Sequence, residues 1–379
     1  EITTRLVGSE MCIRDRHDRI TGGAAEQLRG EKSIMKTKIY GTIGPACCDT
    51  EMLVHLFEKG MTGIRINLSH ADLEEADAWI SGIHSAWSRL HDGTPEILID
   101  LRGPELRIGT LGAERLLKEG DGLSLVADGQ NNLFDPTEIP VPGTLLVALA
   151  PGQEILLDDG RIALKVEEQF RLRSSVAVEC TVVRGGVLKS GKSIAAPGVE
   201  IQTPTLTERD YRNLARVKQC RITGVMLPFV RNQEDLKNLK EALINEDAGD
   251  IRIFAKIENL QGMEHLGELL PHCDEIVIAR GDLGNAMPLA KLPCAQEEIA
   301  AQCRKHGRAF MVVTQMLASM EHRAVPTRAE VSDIFRAVQQ GAASVMLTGE
   351  TAAGEYPLEA MEVLVDTVRE AEWYLEERR

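Results

Sequence analysis

Eight short apolar runs, separated mostly by amphipathic helical patterns, constrain the fold more than any other feature of the chain. They are Thr37–Ile43, Gly63–Asn67, Glu96–Leu101, Thr223–Leu227, Arg252–Ile257, Glu275–Ala279, Ala309–Thr314 and Ala343–Leu347. Each is rich in Val, Ile and Leu without strict alternation, the pattern of a parallel strand buried on both faces. Helical spacing fills intervals such as Asp235–Asn245, Cys294–Lys305 and Arg328–Gln340. Eight strand-then-helix units predict an α/β fold, a TIM (β/α)8 barrel.

One interval breaks the rhythm. Gly103–Gly198, 96 residues, is rich in Gly and Pro and carries short β-like runs at Leu123–Val126, Leu145–Leu149, Glu154–Leu157, Arg161–Val166 and Ser175–Val183. It predicts a small β-barrel domain, residues 103–198, inserted after strand 3, with 35–102 and 199–379 forming the TIM barrel. Glu1–Ile34 has no sustained helical or strand period and no Met at position 1. It is expected to be an artefactual or disordered leader, with a natural start at Met35. Without the leader and the insertion, 249 residues remain, close to the ~250 of a bare barrel.

The charge balance narrows the function. There are 58 acidic and 43 basic residues, for a net charge of −15, the wrong sign for a general nucleic-acid surface. Aromatic residues are only 4%, so base-stacking platforms are scarce. No uncharged stretch reaches the ~20 apolar residues of a membrane-spanning helix. Neither a nucleic acid nor a membrane is expected as a partner. The eight Cys form no CxxC pair and fit buried thiols in a reduced, cytoplasmic protein.

In this fold, catalytic groups gather at the C-terminal ends of the strands. On strand 2, Arg65, Asn67 and Ser69 share a face. A cation beside neutral oxygens suits a phosphate next to an alkali-metal ion, though a polar strand end facing water reads the same way. Asp100, after Leu98-Ile99, is a carboxylate at a buried strand tip, costly without a cation; a structural salt bridge with an Arg stays open. Lys256 and Glu258 also share a face. Lys can stabilise developing negative charge and Glu can hold a hard divalent ion, while a plain Lys–Glu pair is the simpler alternative. After strand 6, the glycines, Gly281 among them, permit close backbone approach, and Asp282 offers a second carboxylate for Mg2+. Thr314 places a hydroxyl at the rim, able to relay a proton through water or merely to cap its strand. Thr348-Gly349-Glu350-Thr351 opens a helix whose N-terminus suits an anion or an ordinary cap. Together these groups describe phosphoryl transfer, which is mainly positioning and charge neutralisation. No Walker A sequence and no protein-kinase glycine loop is present.

Thr42-Ile43-Gly44-Pro45, Arg65-Ile66-Asn67-Leu68-Ser69-His70, Gly103-Pro104-Glu105, Leu157-Asp158-Asp159-Gly160, Lys256-Ile257-Glu258-Asn259, Ala279-Arg280-Gly281-Asp282-Leu283-Gly284, Thr314-Gln315-Met316-Leu317 and Pro326-Thr327-Arg328-Ala329-Glu330 occur in that order. With these strings the chain resembles the pyruvate kinase family from Lys36 to about Glu370. The resemblance implies transfer of the phosphoryl group of phosphoenolpyruvate to ADP, giving pyruvate and ATP, the insertion closing as a lid. It implies Lys256, Arg65 and Thr314 as catalytic residues, with Gly281 and Asp282 joining them at the substrate. Arg107 and Lys192 match nucleotide-phosphate contacts. Glu258 and Asp282 match ligands of Mg2+ (or Mn2+). Asn67, Ser69, Asp100 and the carbonyl of Leu101 match a K+ site, and Glu105 the acidic residue that accompanies K+ dependence.

Some positions depart from the family. Arg102 replaces a usual Lys, with different donor geometry. Pro228 replaces a usual Ser, and Glu75 stands where many members carry a Tyr near the adenine. The chain stops at Arg379, so the resemblance implies a short form lacking the C-terminal effector domain and its sugar-phosphate control. A homo-oligomer joined through the barrel is expected. Two alternatives stand beside this reading. A metal-dependent TIM-barrel aldolase would share the metal pair without needing Lys192, Arg107 or the lid. A paralogue binding phosphoenolpyruvate as a metabolic sensor would have no need of Lys256, Glu258, Asp282 and Thr314 together.

Overall fold

All eight apolar runs form strands in the structure, a computed structural model that describes residues 36–378 apart from 130–134, 136, 159, 173–174, 200 and 202. The leader expected at 1–34 lies outside the described residues. Barrel strands 1 to 8 are Lys38–Thr42, Gly63–Asn67, Glu96–Asp100, Gly224–Leu227, Arg252–Ile257, Glu275–Ala279, Ala309–Val313 and Ser344–Met346. Each pairs in parallel with the next, and strand 1 pairs with strand 8, Lys38 opposite Ser344, to close the ring.

The barrel interior shows why polar strand ends converge. Tyr40, Leu98, Met226, Phe254, Val277 and Met311 form a buried apolar plug across its middle. Side chains on a strand alternate between faces, so the inward residue two positions further along points into the mouth. That residue is Thr42 after Tyr40, Asp100 after Leu98 and Lys256 after Phe254. The intervening residues, such as Ile39, Ile97, Ile99 and Ile253, are also buried, which accounts for the unbroken apolar runs. The predicted helices occupy Gln233–Asn245, Leu292–Lys305 and Arg328–Gln339. The last opens with a capping box. Thr327 Oγ1 accepts from the Glu330 amide, and the Glu330 carboxylate accepts from the Thr327 amide. No described helix is long and apolar enough to cross a membrane.

Between barrel strands 3 and 4 the chain builds a separate six-stranded sheet, ordered Ile194–Ala195, Glu154–Leu157, Ile162–Leu172, Ser175–Arg184, Gly122–Ala127 and Glu138–Val141. A two-stranded ribbon pairs Arg115–Leu117 with Gly186–Leu188. This sheet has its own core, including Leu125, Ile139, Leu157 and Val178. The run at Leu145–Leu149, expected as β, lies largely in a helix, Gly143–Ala148. A strand would hide Val147 with Leu145; instead Leu145 and Leu146 are buried together and Val147 is 61% exposed.

One buried carboxylate ties both crossings between the sheet and the barrel. Asp210 is 0% exposed. It accepts from the amides of Arg102 (3.1 Å) and Gly103 (3.3 Å), where the chain leaves the barrel. It also accepts from the amide (2.8 Å) and hydroxyl (2.7 Å) of Thr207, where the chain returns. Gly103 is left-handed at φ 61°, and a Cβ there would lie 2.7 Å from Pro228 Cγ. Asp210→Ala strands several of these donors, each costing about 1–3 kcal/mol when unsatisfied. Urea unfolding is expected to show a loss of roughly 3 kcal/mol or more; a change too small to resolve would contradict this role.

Candidate active site

The mouth of the barrel opens into a cavity of about 560 Å³ between the strand ends and the inserted sheet. Arg65, Asp100, Lys256, Glu258 and Asp282 from the barrel line it, with Arg107 and Ser193 from the insertion. Asp100 sits at the centre of the charged wall. Its Oδ2 accepts from Arg65 Nε (3.0 Å) and Nη2 (2.6 Å), and Lys256 Nζ lies 3.1 and 3.0 Å from its two oxygens. Lys256 Nζ is also 2.9 Å from Glu258 Oε1.

These groups set each other's protonation. Burial works against the Asp100 carboxylate, but Lys256 and Arg65 hold its pKa below the ordinary value. Burial likewise works against the Lys256 ammonium, but Asp100 and Glu258 outweigh it and raise the pKa above the usual lysine range. Lys256 is therefore held as a cation, suited to stabilising negative charge rather than taking up protons.

Glu258 is 3% exposed. Its Oε2 accepts from the Phe229 amide at 2.8 Å; its Oε1 is buried and lies 2.9 Å from the Lys256 ammonium. A buried carboxylate oxygen met by a cation alone suits cationic partners, and Asp282, on the helix Arg280–Asn285, borders the same cavity. Among the described residues no group of three or more His, Cys, Asp and Glu could hold a metal. Two carboxylates match the partial protein coordination of Mg2+, which keeps waters and substrate oxygens.

The other expected residues divide. Asn67, Ser69 and Leu101 line the cavity, Asn67 opposite Asp100 in register. Asn67 Oδ1 accepts from the Ser69 amide at 3.1 Å. Their oxygen donors suit a hard monovalent ion. Arg107 borders the cavity while pairing with Glu105 at 2.9 Å and donating to the Gly191 carbonyl at 2.8 Å. Lys192 is not among the lining residues and pairs with Asp158 at 2.7 Å. Gly281 and Thr314 also stand apart from the lining, against each other: a Cβ on Gly281 would lie 3.0 Å from Thr314 Cγ2. Thr348–Thr351 carries a buried carboxylate of its own. Glu350, buried, accepts from the amides of Thr348 (2.8 Å) and Leu317 (3.0 Å).

The strand-end reading missed three groups: Thr42, whose hydroxyl accepts from Arg65 Nη1 at 3.3 Å, the Phe229 amide, and Arg280. Thr42 was open to discovery, being two residues beyond Tyr40 on the inward face. The other two depend on left-handed backbone, with φ 55° at Phe229 and 72° at Thr314. Such conformations cost about 1–3 kcal/mol each at non-glycine residues and carry no side-chain pattern.

A family model described as "Pyruvate kinase, barrel domain" matches residues 34–361. The chain belongs to the pyruvate kinase family. It is 39% identical over 345 residues to a pyruvate kinase of Geobacillus stearothermophilus, covering 90% of this chain and 58% of that protein. A pyruvate kinase of Bacillus licheniformis is 35% identical over 345 residues, covering 91% and 58%. One of Clostridium acetobutylicum is 35% identical over 342 residues, covering 89% and 71%. The chain thus spans 58% of the length of the first two of these pyruvate kinases.

Proposed function

We propose that this chain transfers the phosphoryl group of phosphoenolpyruvate to ADP, giving pyruvate and ATP. The observation that carries this reading is the linked set Arg65–Asp100–Lys256–Glu258 at the mouth of a pyruvate kinase-family barrel. Arg65 would bind the phosphate of phosphoenolpyruvate. Lys256, held protonated, would stabilise the enolate oxygen as the bond from phosphorus to that oxygen breaks and the bond to the ADP β-phosphate oxygen forms. Arg107 and Lys192 would meet the nucleotide phosphates. The enolate carbon then takes a proton, relayed at the Thr314 hydroxyl.

Glu258 and Asp282 would hold the divalent ion, Mg2+ or Mn2+, which when bound neutralises charge on the phosphoryl oxygens. Asn67, Ser69, Asp100 and the Leu101 carbonyl would hold K+, a fixed positive charge beside the phosphate. Residues 103–198 act as a lid excluding water from a barrel of 35–102 and 199–379. The same reading makes the chain a cytoplasmic homo-oligomer joined through the barrel; the seven cysteines among the described residues, all free, support a reducing compartment.

The test is purified chain with phosphoenolpyruvate and ADP, following pyruvate by coupled NADH oxidation. Turnover is expected to vanish on removal of the divalent ion and to rise with K+. Calorimetric binding of phosphoenolpyruvate without turnover, with either ADP or GDP, would favour a sensor; aldol cleavage would favour the aldolase.

A further inference from the structure

Thr314 is β-branched and left-handed at φ 72°, followed by Gln315 at φ 55°. Side chains rarely adopt this region, β-branched ones least of all, so neighbouring groups must hold it. The holder is Arg280. Its Nε and Nη2 donate to the Thr314 carbonyl at 3.1 and 2.7 Å, and Nε also reaches the Val313 carbonyl at 3.3 Å. Nη1 pairs with Asp333 on the helix Arg328–Gln339. Nη2 also lies 3.0 Å from Met316 Sδ. The side chain is 9% exposed and is not among the residues lining the cavity. Its donors are directed at the end of strand 7 and at one carboxylate.

We infer that Arg280 is a positioning residue for the proton-delivery step, fixing the Thr314 backbone so that its hydroxyl stays beside Gly281. This rests on the phosphotransfer reading above. In that step the Thr314 O–H bond breaks as its proton goes to the enolate carbon, a C–H bond forms and the enolate C–O becomes a carbonyl, while the Thr314 oxygen takes back a proton from solvent water, whose buffer supplies the net proton of the reaction. Gly281 confines the Thr314 methyl on one side, while Arg280 anchors the carbonyl and Asp333 orients the guanidinium. A lysine offers one nitrogen and cannot both fork onto the Thr314 carbonyl and reach Asp333.

A double-mutant cycle tests this with Arg280→Met, Thr314→Val and the pair. Three readouts serve: turnover, KM for phosphoenolpyruvate, and exchange of the pyruvate methyl protons in D2O by NMR. Arg280→Met is expected to slow turnover and exchange by roughly tenfold or more while KM stays within about threefold. In the Thr314→Val background it should cost less than about twofold further, since residues acting as a unit are not additive. Arg280→Lys, which keeps the charge, is expected to fall between the parent and Arg280→Met in exchange. An undiminished Arg280→Met penalty in the Thr314→Val background overturns the inference. So does Arg280→Lys with full exchange. A parent chain with neither turnover nor exchange overturns the phosphotransfer reading and this inference with it; turnover with an additive cycle overturns this inference alone.

Discussion

Lys256→Met is expected to lower pyruvate formation by about 10³-fold or more, with KM for phosphoenolpyruvate changed far less. Removing one preorganised donor from a developing oxyanion costs ~10²–10³, and Lys256 is also the link between Asp100 and Glu258. Loss of an interaction made mainly in the transition state appears in turnover, whereas loss of uniform binding appears in KM. The substitution leaves Asp100 with Arg65 alone and removes the ammonium facing Glu258 Oε1. Some loss of stability therefore accompanies it, and thermal unfolding should be followed in parallel. A variant that keeps a tenth or more of its turnover would show that charge at the enolate oxygen is supplied elsewhere.

Asp100→Asn should produce the largest stability effect, about 3–5 kcal/mol at neutral pH, because it leaves two nearly buried cations facing a neutral amide. Its pH dependence follows from the two shifts. Asp100 has a depressed pKa in the folded chain, so its contribution is fully present above the unfolded value of ~3.9 and is lost as pH falls through the folded value. Lys256 has a raised pKa, so its contribution is fully present below ~10.4 and is lost as pH rises through the folded value. The stability difference between parent and Asp100→Asn should be flat from about pH 5 to 9 and shrink below about pH 4. Denaturant midpoints measured across pH check this; a difference that grows in acid would contradict the assigned signs.

The barrel is legible because strands buried on both faces must be apolar throughout, and eight such runs recur with helical patterns between most of them. Face-sharing was legible for the same geometric reason. A period of two places Arg65 with Asn67, and Lys256 with Glu258, on one face. What these pairs meet was less so. Asp100 was open to an Arg partner, and it has Arg65. It also has Lys256, because closing the ring brings the ends of strands 2, 3 and 5 to one mouth. The Phe229 amide on Glu258 and the Arg280 clamp on Thr314 had no signal, since both rest on left-handed residues outside regular structure. Leu145–Leu149 was misread because an apolar run that short fits either period until burial decides.

The measurement that tests the central claim most directly is phosphorus NMR of the purified chain with phosphoenolpyruvate, ADP, Mg2+ and K+. The phosphoenolpyruvate signal should decline as the γ-phosphate signal of ATP grows at the same rate, with no inorganic phosphate. Growth of inorganic phosphate instead, or an unchanged phosphoenolpyruvate signal, would contradict phosphoryl transfer at this site.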